Sequence, residues 1–385
     1  MKSTALSEEL SAPSSGLQKM DDGQKIKYYT ASQWQLVWWR FRRNRLALIG
    51  AGILGLFTFI LLFAELISPY SGTTNDITYL LGPPQIIRFW DESGFSLRPF
   101  VHEVKTKRDP VTLQMIPYTD TSQRRYIRFF VRGDKYKYWR SNWIRSDLHL
   151  FGVAEGTIHI FGTDRMGRDL FSRTMRATRT SLTIGAAGVM IAFFLGLFMG
   201  GTAGYLGGRV DFFIQRIIEV IRSVPDIPLF MGLAAAMPRE WTPERVYFMI
   251  TLIIGLFHWT TLARRTRGKL LSLRNEDFVV AARLAGASNT RIIARHMLPS
   301  FTSYIIVDLI VSFPYMILAE TALSFVQLGL RPPVISWGVL LEGSQNIQAI
   351  ELAPWLFIPV IFVATAVMGF VFLGDGLRDA ADPYA

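Results

Sequence analysis

LALIGAGILGLFTFILLFAELI, residues 46–67, decides what kind of protein this is. Its one charged residue is Glu65, close to the end. A membrane span needs about 20 mostly apolar residues, because each adds about 1.5 Å against a hydrocarbon core of about 30 Å. The stretch meets that length, and Arg40, Arg42, Arg43 and Arg45 stand before it. It is too long and too far from residue 1 to read as a signal peptide. Residues 34–45, WQLVWWRFRRNR, mix Trp with Arg and suit a short helix at the interface.

Further apolar blocks follow. Leu182–Leu206 is rich in Gly and Ala, small residues that let helices approach closely in lipid. Val246–Ala263, Phe301–Phe325 and Pro354–Leu373 are the next clear spans. Val210–Met237 is less clean. It carries Arg216, Glu219 and Arg222 at i, i+3 spacing, on one face where they can pair. Pro225 and Pro228 would bend or break it. Counting it gives six spans. The fold class expected is an all-α membrane protein of six transmembrane helices with a small mixed insertion outside. Composition agrees: half of the 385 residues are hydrophobic and 18% are charged, against about 25% charged in soluble domains. Without cysteine there is no disulfide, thiolate metal site or cysteine nucleophile.

Charge sets the orientation. Arg264, Arg265, Arg267, Lys269, Arg274, Arg283, Arg291 and Arg295 crowd 264–299, opposed by Glu276 and Asp277. The segment 326–353 has one basic residue, Arg331. The positive-inside rule puts 264–299 in the cytoplasm and 326–353 outside. Six spans then leave both termini cytoplasmic. Arg165, Arg168, Arg173, Arg176 and Arg179 oppose this scheme, since it places them outside. The chain divides into a tail and interfacial helix (1–45, its first 33 residues polar), a first span (46–67), an extracytoplasmic insertion (68–162) and a core of five spans (163–385). The insertion includes YIRFFVRGDKYKYW at 126–139. Two aromatic, β-prone runs flank Gly133-Asp134, the pattern of a hairpin.

The loop 264–299 carries the most information. NEDFVVAARLAG reads as a short helix that Asn275 can cap and Gly286 can end. Ser288 can cap a second helix, NTRIIARHM, stopping before Pro299. Two short helices joined at Gly286 make a compact knob, a natural docking element for a soluble partner. Charged residues inside spans usually face a bundle interior or a path. Arg216, Glu219, Arg222, Asp308 and Glu320 are therefore candidates for the path or its gate, against a plain pairing role. No two histidines stand at metal-ligand spacing, so zinc-hydrolase chemistry is absent, and no GxSxG elbow occurs. Gly268-Lys269 is followed by Leu270 and lacks the upstream Gly of a phosphate-binding loop. Nucleic acid is not an expected partner, despite the basic balance.

FVVAARLAGASNTRIIARHMLP resembles the EAA loop of ABC importer permeases. HIFGTDRMGRDLFSRTMRATRTSL (159–182), GYLGGRVD (204–211), AETALSFVQLGLRPPVISWG (319–338) and GDGLRDAADP (374–383) resemble the second, C-type permease of dipeptide, oligopeptide and nickel importers. Val280 stands where the loop motif's Glu usually is, and Gln327 interrupts the SFLGLG-like run. Ser300 and the long 69–158 insertion also depart from the pattern. The resemblance implies a type I importer fold in a bacterial inner membrane. It implies a second permease subunit, two cytoplasmic ATPase subunits that hold ATP and Mg, and an extracytoplasmic binding protein. This chain would hold no cofactor and no metal, and would not hydrolyse ATP. Ala281, Ala282, Gly286, Ala287, Ser288, Arg291, Leu298 and Pro299 fall on the coupling positions. Peptide is the substrate expected first, with nickel chelates or other small solutes as alternatives. The competing class is a self-contained secondary transporter or membrane enzyme.

Overall fold

A computed structural model describes residues 32–108, 115–140, 145–238, 240–345 and 351–381. The expected polar tail, 1–33, lies almost wholly outside them. Helix α1 (Gln33–Phe41) is closed by a reciprocal Ser32–Gln35 capping box. Helix α2 (Arg45–Ile67) starts where the Asn44 side chain accepts from the Ala47 N–H at 3.1 Å. Strands β1 (Arg88–Asp91), β2 (Gly94–Arg108), β3 (Met115–Lys137) and β4 (Arg145–Val153) form one antiparallel sheet in that order. Helix α3 (Leu170–Leu206) follows, then α4 (Gly208–Arg222), α5 (Asp226–Ala235) and α6 (Pro243–Leu273). Next come α7 (Asp277–Leu284), α8 (Thr302–Phe325), α9 (Trp337–Glu342) and α10 (Ile358–Ala381).

Five helices among the described residues are long and apolar enough to cross a membrane. They include α2, α3, α6 and α8, and the fifth is α10 with its leading turn. The segment 210–237, expected to bend or break at its prolines, is two helices. Pro225 has extended backbone and lacks the N–H that would continue α4, so the chain breaks there. The two pieces run antiparallel to α6. Arg267 holds Asp211 through two bonds, at 2.5 and 2.6 Å. Further along, Arg222 Nη1 donates to Thr261 Oγ1 at 3.1 Å. Phe230 then meets Phe257 edge-on at 5.9 Å.

Small residues bring α3 and α6 together, as the composition of 182–206 implies. A Cβ on Gly196 would lie 2.8 Å from the Leu262 Cβ, and one on Gly204 would lie 2.8 Å from the Arg267 carbonyl. Between them, a Cβ on Gly200 would collide with the Ala263 carbonyl. Ile184, Val189, Ile250, Ile254, Trp259 and Met316 pack over this seam. A second cluster joins α2, α3, α9 and α10 around the fully buried Trp337, which Phe57 meets edge-on.

The expected hairpin at Gly133-Asp134 is a different feature. Both residues sit inside β3, where the register to β4 slips between Arg132 and Tyr136. A Cβ on Gly133 would lie 2.8 Å from the His149 ring. Asp134 accepts from the Ser71 N–H at 2.9 Å and from Thr74 Oγ1 at 2.6 Å. The glycine is there for close approach at a bulge rather than for a turn. The reversal into β4 falls after residue 137.

Candidate functional site

The knob forms as its sequence implies, with changes at its start and end. Glu276, not Asn275, occupies the N-cap position of α7, and no side chain caps it. The helix closes on Gly286 at φ +76°. The Gly286 N–H reaches the Arg283 carbonyl at 3.0 Å, and the Ala287 N–H reaches Ala282 at 3.1 Å. That pair of bonds is a Schellman motif, and its left-handed residue favours glycine. Ser288 then accepts from the Arg291 N–H at 3.4 Å and starts the second segment, Asn289–Arg291. Ile292–Met297 widens into a π turn, with the Leu298 N–H on the Ile293 carbonyl. Helical turns continue through Leu298–Ser300, so Pro299 lies inside the segment rather than after it.

One side of the knob is anchored. Val279, Ile292 and Met297 are fully buried against Leu270 of α6, Tyr205 of α3 and Phe301. The other side is bare. Phe278, Ala281, Leu284 and Ala285 form a continuous exposed stripe on α7, and Leu284 is 83% exposed. Ser288, Arg291 and Pro299 are also exposed, while Ala282, Ala287 and Leu298 are half-buried. A rigid element with an anchored back and an apolar front can pass a push from a partner into α3 and α6.

The charged candidates fall in three places. Arg216 and Glu219 pair at 2.6 Å on an exposed face of α4, beside exposed Phe212, Phe213 and Val220. Asp308 is buried on α8 and ion-paired to Arg265. Glu320 is fully buried: it accepts from Ser324 Oγ at 2.8 Å and from Ser181 Oγ at 3.3 Å. Ser181 in turn accepts from the Trp337 N–H at 3.1 Å, and Ser324 from the Leu330 N–H at 3.0 Å. Glu320 thus ties α3, α8 and the start of α9 together. The five candidates do not form one cluster.

Of the arginines that opposed the charge scheme, Arg168, Arg173, Arg176 and Arg179 have partners within the fold. Asp164 takes both Arg168, at 2.8 Å, and Arg173. Arg179 pairs with Glu65 and lies 4.7 Å from the Trp139 ring, which joins α2 and α3 to the turn that follows β3. Arg176 donates to the Tyr70 carbonyl at 3.3 Å. Nearby, His159 is buried between Tyr70 and Tyr79 and bonds Asp169 at 3.0 Å, with Asp76 at 3.7 Å on its other nitrogen. Burial opposes its charge, but the two carboxylates outweigh burial and raise its pKa. Asp169 also caps α3, accepting from the Ser172 N–H at 2.7 Å.

Comparison with known proteins follows the same lines. The family model described as "Binding-protein-dependent transport system inner membrane component" matches residues 192–384. The model of the "N-terminal TM domain of oligopeptide transport permease C" matches 32–84. The dipeptide transport system permease protein DppC of Lactococcus lactis is 39% identical over 235 residues, 61% of this chain and 66% of that protein. The oligopeptide transport system permease protein OppC of Haemophilus influenzae is 39% identical over 226 residues, 58% of this chain and 70% of its own length. The OppC protein of Bacillus subtilis is 27% identical but aligns over 94% of this chain and 93% of its own. Five apolar helices, the anchored knob and these matches agree, and the chain belongs to the family of membrane-embedded permease components of binding-protein-dependent ABC importers.

Proposed function

We propose that this chain is one half of the translocation path of a peptide importer. The permeases it resembles carry dipeptide and oligopeptide names. Both termini are cytoplasmic, and the sheet of 88–153 stands outside the membrane. The broken pair α4–α5, antiparallel to α6, makes the sixth crossing. Its exposed face, with Arg216 and Glu219, is offered to a second, different permease subunit. An extracytoplasmic binding protein brings the peptide. The knob sits on one of two cytoplasmic ATPase subunits, which hold ATP and Mg; this chain hydrolyses nothing itself.

The observation that carries the reading is the knob. Its exposed stripe of Phe278, Ala281, Leu284 and Ala285 faces away from the bundle, while its back is locked into α3 and α6. Closure of the ATPase pair on ATP would move the knob as a rigid body and bias the bundle between two states. The test is reconstitution of the permease pair with its ATPase subunits and binding protein in vesicles. Peptide-loaded binding protein should raise ATP hydrolysis together with peptide uptake. Uptake by the permease pair alone, without ATPase subunits, would instead indicate a self-contained transporter.

A further inference from the structure

We propose that the pocket between 164–173 and 327–345 binds the terminal carboxylate of the transported peptide; this rests on the peptide reading above. The pocket holds about 480 Å³, the scale of small-ligand sites. Arg165, Arg168, Arg173 and Arg331 line it, against the two carboxylates of Asp164 and Glu342. Asp164 is occupied by Arg168 and Arg173. Glu342 is held by Gln327, whose Nε2 donates to it at 2.8 Å.

The cations are left with spare donors. Arg331 spends only its Nε, on the Gln327 carbonyl at 3.0 Å. No partner is found for its terminal nitrogens, or for Arg165, among the described residues. Arg173 is buried, and its Nε has no hydrogen-bond partner among them. A buried donor without a partner is uncommon and calls for an acceptor from elsewhere. Guanidinium groups match a carboxylate with two parallel bonds, which a neutral amide end cannot supply.

Backbone geometry points to the same wall. Gln327 sits at φ +62°, a region that non-glycine residues seldom occupy. Its side chain and carbonyl are the groups that fix Glu342 and Arg331. An observed outlier of this kind at a pocket is the pattern of a shaped binding wall.

The chain has no cysteine, so one introduced at Gln345, on the pocket rim, reads occupancy. The assembled permease pair carrying Gln345→Cys is labelled with a cationic thiol reagent in the presence of trialanine or trialanine amide. Trialanine should protect at about tenfold lower concentration than the amide, the scale of one charge-assisted contact. Adding Arg165→Gln and Arg331→Gln, both at exposed positions, should remove that advantage. Equal labelling with both compounds at every concentration overturns the site, as does an advantage that survives the double change. Peptide uptake by the complete importer is measured in parallel. Uptake without protection removes the pocket and leaves the peptide reading; protection without uptake of any peptide does the reverse.

Discussion

At the residue scale, Gly286 and His159 show different ways in which one residue holds a local shape. Gly286 faces open space, so a larger residue there meets no steric wall. Its constraint is the backbone at φ +76°, which costs an ordinary L-residue roughly 1–2 kcal/mol. Gly286→Val should therefore leave insertion intact but distort the knob and separate ATP hydrolysis from uptake. Gly286→Asn should keep most coupling, because Asn tolerates that conformation. The ratio of peptide moved to ATP consumed is the readout. His159 acts through charge. Its pKa is raised above the ordinary histidine value, so its contribution is complete below about pH 6.5 and is lost as pH rises through the higher folded value. Thermal stability should fall from mildly acidic to alkaline pH in the native protein. His159→Gln should flatten that slope.

At the element scale, the α3–α6 seam is the most demanding contact. Gly200→Leu would force a side chain into the Ala263 carbonyl and should destabilise by about 1–3 kcal/mol or more. The yield of assembled permease after detergent extraction measures it, and the same change at Gly52, which faces open space, is the control. The seam and the knob are legible in sequence because both rest on local chemistry: small residues at helical spacing, and Gly286 between two short helical segments, the second capped by Ser288. Gly133-Asp134 suggests a hairpin in the sequence because a Gly-Asp pair serves a bulge as well as a turn. What separates the two is His149 on the next strand and Ser71 in a distant segment. The break in 210–237 is legible too, because Pro225 and Pro228 announce it and the chain parts at Pro225. Arg179 looked misplaced because its partner, Glu65, belongs to another helix.

At the scale of the whole molecule, the chain is a helical bundle with a sheet at one end and a knob at the other. Arg179, Glu65 and Trp139 fasten the turn after β3 to the bundle. Leu270 and Tyr205 fasten the knob. On the function proposed above, the sheet lies outside the membrane and the knob in the cytoplasm. Ser93, in the tight connection between β1 and β2, is exposed. Ser93→Cys should react in intact cells with an impermeant thiol reagent, provided the outer envelope is permeable. Protection until the membrane is lysed would invert the orientation.

On the function proposed above, the knob docks on an ATP-hydrolysing subunit. Leu284, the most exposed apolar residue of α7, is the position to ask. With Leu284→Cys in the otherwise cysteine-free chain, a short bifunctional thiol cross-linker should join this subunit to the ATPase subunit carrying a cysteine in its surface groove. ATP should alter the yield. Absence of any cross-link in an assembled, transport-competent complex, across a set of groove positions, would contradict the account.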